Sequence, residues 1–251
     1  MSATVMTPNE PTAASAPPDW APLLRWLVFT GFTAFAALLL WRYGLLSRMV
    51  QSDRTYISSV ICVLYVGASL HCLFRTIAVS REGERERRTA RAIEGNGDTV
   101  FSAETLPEGL TGDHIRDLAE KARTQGARRL DQTLLLRGLA DRMRGSNGFG
   151  NFASDSLMKL GLLGTIIGFI IMLAPIAGLD VSDKSVLKSS MGVMSDGMAV
   201  AMYTTLAGLV GSILLKLQYY MLESATSSLF SRVVRLTETR VVPALERRYD
   251  R

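Results

Sequence analysis

The chain has 251 residues, 48% hydrophobic and 20% charged, with a net charge of +5. Its mean hydropathy of +0.19 is high for so many charges, because apolar blocks are segregated from charged ones, and this excludes an ordinary soluble domain. The basic total points away from nucleic acid and towards a membrane protein with positive loops on one side, because the charges cluster in particular loops.

The first stretch, residues 1–20, is rich in Pro, Ala, Ser and Thr. It lacks a basic segment followed by an apolar one, so it reads as a disordered tail and not as a cleavable signal. Residues 21–78 hold two predicted spans. The first runs from Leu23 to Leu46, with Trp26, Trp41 and Tyr43 near its ends as an aromatic belt, and with Arg25 and Arg42 close enough to the ends to snorkel. The second runs from Tyr56 to Ile77 and is diluted by Ser58, Ser59, Ser69 and His71, the last read as interfacial, near a helix end. Cys62 and Cys72 lie ten residues apart. On one helix that is roughly 15 Å, beyond disulfide reach, so they read as small apolar side chains.

Residues 79–155 form a charged loop of helical character. Leu130, Leu134, Leu135, Leu139 and Met143 recur near helical spacing. His114 reads as a solvated loop or helix-start residue. Residues 145–151, GSNGFGN, read as a flexible joint. Residues 156–218 carry the third span, Leu157 to Ala177, and the fourth, Ser195 to Leu217. Residues 219–251 continue as an amphipathic helix through Leu222, Leu229, Val233 and Leu236, with Pro243 late in it. The fold class is thus all-α, with four transmembrane helices and helical extensions on one side. Thirteen Lys and Arg lie between Arg81 and Arg144, and more follow the fourth span, while the two outer links carry few. The positive-inside rule then places the middle loop and both termini in the cytoplasm.

No phosphate-binding loop, nucleophile elbow or HExxH motif is present, so no soluble enzymatic chemistry is expected. The information sits in spans three and four. Gly161, Gly164 and Gly168 strip bulk from one side of span three, where Thr165 also lies. In span four, Gly197, Ala201, Thr205, Gly208 and Ser212 follow steps of four, four, three and four. Such stripes let helices approach closely in lipid. Packing alone is one reading, with each threonine hydroxyl bonded back to its own helix. The other is a polar path. Thr165 would lie about 12 Å from the cytoplasmic start of its span and Thr205 about 16 Å from Lys216, so the two can meet at one level. A hydroxyl ring orders water or bonds a proton carrier but does not titrate near neutrality. Neither span holds an ionisable residue at depth, and Asp196 reads as a helix cap or channel entrance at the outer start of span four. Either the protein moves no protons, or a partner helix supplies a carboxylate.

In these stretches the chain resembles the MotA/TolQ/ExbB proton-channel family. LGLLGTIIGF looks like that family's Gly-Leu-x-Gly-Thr-x-x-Gly stretch, and GMAVAMYTTLAGLVGSI like its small-residue Ala-Thr-x-x-Gly-Leu helix, over roughly residues 155–220. The resemblance implies a homopentamer around two copies of a single-span partner of the ExbD/TolR/MotB type. A partner Asp would face Thr165 and Thr205, with Thr204 beside them. The transported ion would be H⁺, or Na⁺ as the alternative, and no cofactor is implied. The complex would sit in the bacterial inner membrane and turn ion flow into mechanical work in the periplasm. Two departures stand out. Val200 occupies a position where the ExbB-like branch often has Glu, and the proline that often precedes the first motif is missing before Leu160. Four spans with one long loop resemble MotA more than three-span ExbB or TolQ. The competing expectation is a non-conducting scaffold whose glycines only pack helices.

Overall fold

The computed structural model describes residues 20–44, 56–96, 108–125, 130–178 and 184–249. The N-terminal tail to residue 19, the first outer link with Arg48 and Arg54, residues 179–183 of the second, and residues 97–107 of the loop-like stretch lie outside the described residues. Among those described, every regular element is helical. The α-helices are α1 (Ala21–Arg42), α2 (Ile57–Asn96), α3 (Leu110–Gln125), α4 (Thr133–Arg144), α5 (Gly148–Leu173), α6 (Lys184–Leu236) and α7 (Val242–Tyr249). Four helical stretches are long and apolar enough to span a bilayer, within residues 21–42, 57–95, 133–176 and 185–248.

Two of these helices are far longer than a membrane is thick. α2 has 40 residues and α6 has 53. At 1.5 Å per residue they reach about 60 and 80 Å, against a hydrocarbon core of about 30 Å. Each must therefore run on into water. The polar halves of α2 and α6 then meet α3, α4 and α7 in a lobe outside the apolar zone. Ile93, Ile115, Leu118, Val241 and Leu245 make the core of that lobe, while Leu139 and Met143 of α4 pack on Leu229 and Val233 of α6. Pro243 explains the local break at the end of α6. It has no N–H to give and crowds the carbonyl four residues back, and the chain widens into a π turn over Thr237–Val241 before α7 starts.

Within the apolar zone α5 and α6 run antiparallel in the closest contact of the molecule, and α2 lies across both. Trp26, Ile61, Cys72, Leu157, Leu215 and Tyr219 are buried where α1 and α2 meet that pair. α1 buries only Trp26 and turns Leu24, Val28, Phe32, Phe35 and Leu38 outward, as a helix surrounded by lipid or by another membrane helix would.

Three local expectations are corrected. GSNGFGN is not a free joint: a 3₁₀ turn at Gly145–Asn147 leads straight into α5, and Gly150 is buried against Tyr219. A Cβ at Gly150 would land 2.1 Å from the Tyr219 ring, so this glycine is there for proximity and not for flexibility. His71 is not near a helix end. It lies well inside α2, where its Nδ1 is 2.7 Å from the Tyr219 hydroxyl and its ring meets Phe149 edge-on. His114 is not solvated, because the amphipathic α3 turns it into the lobe, where it is 3% exposed.

Candidate functional site

The site is built on the seam between α5 and α6. The buried residues of α5, Gly150, Ala153, Ser154, Leu157, Gly161, Gly164 and Gly168, recur every three or four positions and form one stripe. Opposite them, α6 offers Gly197, Thr204, Gly208 and Ser212, all buried. Missing side chains set the spacing. A Cβ added to Gly168 would come within 2.6 Å of the Ala201 nitrogen, and one on Gly197 within 2.6 Å of the Met172 nitrogen. One on Gly208 would sit 2.7 Å from the Gly161 Cα, and one on Gly161 3.2 Å from the Gly208 Cα. Backbone therefore lies on backbone at both ends of this seam. In lipid, where burying apolar area supplies little drive, such contact is what holds helices together. Towards the polar lobe, Ser154 and Ser212 close the seam with Oγ atoms 3.0 Å apart, and the Ser154 hydroxyl also reaches the Ser212 carbonyl at 3.1 Å.

The three threonines divide into two environments. Thr204 is wholly buried in the seam. Its side chain fills the space left by Gly164, where an added Cβ would come within 2.3 Å of the Thr204 hydroxyl oxygen. That hydroxyl donates to the Val200 carbonyl at 2.8 Å, with the Ala201 carbonyl at 3.2 Å. Thr165 and Thr205 instead share the wall of an open groove of about 760 Å³. Met198, Met202, Leu206 and Leu209 make most of the rest of that wall, with Ser195 and Tyr203. The Thr165 hydroxyl donates to the Leu162 carbonyl at 2.5 Å. The Thr205 hydroxyl donates to the Ala201 carbonyl at 2.9 Å, with the Gly161 carbonyl at 3.4 Å.

The chemistry follows from the hydroxyl inventory. Each hydroxyl has one proton and two acceptor lone pairs. In Thr165 and Thr205 the proton is committed to the backbone, so what the groove receives is acceptor capacity. A protonated carboxyl group, a hydronium or an ordered water satisfies such acceptors. Among the described residues that line the groove, none is Asp, Glu, His, Lys or Arg. The groove can hold a proton carrier in place but cannot be one.

Asp196 is exposed beside the groove-lining Ser195. The expectation that it caps a helix fails, because α6 already starts at Lys184 and Asp196 stands three turns inside it. Several polar contacts escaped the sequence reading. Besides His71 with Tyr219, the Gln218 amide donates to the Thr30 hydroxyl at 3.3 Å, and Arg232 pairs with the buried Glu86 at 3.2 Å. None carries a local motif. The available hint was a polar residue at a core position of the helical period, as Gln218 is between Leu215 and Leu222. In the polar lobe, burial pushes the His114 imidazole below its ordinary value of 6.5, while Gln132 and Asp117 pull the other way.

Comparison with known proteins agrees with the geometry. The profile of the MotA/TolQ/ExbB proton channel family matches residues 104–234, which is more than half of the chain and extends beyond the two motif helices into the polar lobe. No curated protein and no solved structure gives a significant match.

Proposed function

The chain belongs to the MotA/TolQ/ExbB proton channel family, and from that premise we propose that it is the channel-forming subunit of an ion-driven membrane motor. Two things stand already. It is a multi-pass helical membrane protein of channel type, and its family consists of non-catalytic subunits and not enzymes. Beyond them, the reading is a homopentamer around two copies of a single-span partner of the ExbD/TolR/MotB type in the inner membrane. The polar lobe and both termini lie in the cytoplasm. The moving ion is H⁺.

A single observation carries this reading. Thr165 and Thr205, from two different helices, bring hydroxyl acceptors to one apolar groove whose described lining residues include no carboxylate or imidazole. A partner Asp entering that groove in its protonated form would donate to them and lose the contact on ionising. Their role would be to discriminate between the two protonation states of a group supplied from outside. Thr204, in the seam, serves packing in this scheme. Asp196 stands beside the outer mouth, where a carboxylate draws cations. The domain division follows: 1–20 a tail, 21–78 the two peripheral spans, 79–155 the helical loop, 156–218 the channel helices, and 219–251 the terminal helix.

The alternative is a non-conducting scaffold. The internal bonds of all three threonines favour it, since each hydroxyl is satisfied without a guest. Copurification from membranes with native mass spectrometry separates the two. Five copies with two of a small single-span protein, and ion flux that falls in Thr205→Val, are expected of the motor. A homo-oligomer without a partner, indifferent to Thr165→Ala and Thr205→Val in flux, would establish the scaffold.

A further inference from the structure

Two helices, α1 and α2, change from apolar to charged at one level beside α6. α1 opens with Ala21, Pro22 and Arg25 and turns apolar after them. α2 leaves its apolar run at Val79 and Ser80 and becomes charged from Arg81. α6 is already past Lys216 at this level and lines the crevice with Tyr220, Met221, Ser224 and Arg232. Where they meet, a crevice of about 200 Å³ brings together Arg25, Arg87 and Arg232. Glu86 is bonded to Arg232, on the far wall of the crevice from Arg25. The first turn of α1 adds to the field. It has no acidic residue and no side-chain cap, so its N–H groups leave partial positive charge at the rim.

Ser80 is the independent observation. It is 5% exposed, lines the crevice, and its Oγ has no hydrogen-bond partner among the described residues. Buried hydroxyls are nearly always paired, so a lone one in a basic wall marks a place for an outside acceptor. The rest of the wall, with Val79, Met221 and Leu229, is apolar. The outer face of α1 continues from the rim as the exposed apolar row of Leu24, Leu27 and Val28.

We propose that this crevice is a binding site for an anionic phospholipid. The phosphodiester sits between Arg25 and Arg87 and accepts from the Ser80 hydroxyl, while the acyl chains run along the outer face of α1. The height of the crevice selects the ligand. It lies where α1 and α2 leave their apolar zone, which is the level of lipid headgroups, and guanidinium matches phosphate in charge and shape. The site does not depend on ion conduction, so it stands or falls separately from the motor reading.

The test uses the full chain, with competition between phosphatidylglycerol and phosphatidylcholine for the purified protein read by native mass spectrometry. Phosphatidylglycerol should be retained preferentially. Arg25→Gln and Arg87→Gln should each reduce that preference about fivefold. Ser80→Ala should reduce it by a smaller factor with the fold unchanged by circular dichroism. Arg123→Gln, on the exposed face of α3 and away from the crevice, should leave it intact. An equal loss in Arg123→Gln would mean diffuse charge and overturn the site, as would the absence of any lipid preference. Inorganic phosphate that displaces phosphatidylglycerol or stabilises the protein as well as the lipid does would overturn the lipid assignment in favour of a free anion. Arg25 is exposed on the first turn of α1, so its variant keeps the test available if Arg87→Gln fails to fold.

Discussion

The α5–α6 seam and the core of the polar lobe solve the same problem by opposite means. The seam removes side chains. Gly161, Gly168, Gly197 and Gly208 bring backbone onto backbone, and the small polar groups of Thr204, Ser154 and Ser212 lie in the seam with them. The lobe adds side chains, and Ile115, Leu118, Val241 and Leu245 are buried almost completely. The difference comes from the solvent. In water, each apolar group taken from the surface stabilises the fold. In lipid that drive is missing, and only closeness of approach and paired polar atoms distinguish one helix contact from another.

Four changes test this contrast. The largest effect is expected from Gly208→Leu. A branched side chain has no room against the Gly161 backbone, and the cost should exceed about 3 kcal/mol, the usual upper end for overpacking. Loss of the folded species on size exclusion in mild detergent is the readout, and an intact protein there would refute the seam as described. Next is Leu118→Ala, which leaves a cavity in the lobe and should cost about 2–5 kcal/mol. Chemical unfolding followed by circular dichroism measures it, and ion flux per folded complex should be little changed.

Acid should act on the lobe and spare the seam. The His114 pKa is lowered by burial, so the folded lobe binds fewer protons than the unfolded chain. Its contribution to stability is full above the unfolded value near 6.5 and is lost progressively as the pH falls below it. Unfolding midpoints of wild type and His114→Gln across that window are the check, with the wild type losing more. The smallest effect on stability belongs to Thr205→Val, nearly isosteric and at the edge of the seam, which should cost less than about 1.5 kcal/mol. Its effect on ion flux should be large, and normal flux in that variant would remove Thr205 from the pathway.

Much of this architecture was legible beforehand. Four apolar blocks, the charge imbalance between loops and the small-residue steps in spans three and four all come from local composition and period. The division among the threonines did not. Thr204 and Thr205 are adjacent, and a single residue turns the chain by about 100° around the helix. The step pattern pointed Thr205 at the partner helix, but the buried line runs through Gly197, Val200, Thr204 and Gly208. Thr205 is left at the rim, where it lines the groove with Thr165.

Asp196 and His114 failed for a related reason. Span prediction reads hydropathy, which falls before a helix ends, so a residue three turns inside α6 looked like its start. His114 looked solvated because its neighbours are polar, whereas it is buried where α3 packs on α4, a contact between separate elements of the chain.

The sequence alone determined that this chain crosses a membrane four times and that two of its helices can touch, because hydropathy and residue size act locally. Which hydroxyls face a groove, which face a seam, and which arginines gather around Ser80 were decided by tertiary structure. Those facts depend on the rotation of each helix about its own axis, and only the neighbouring helices set that angle.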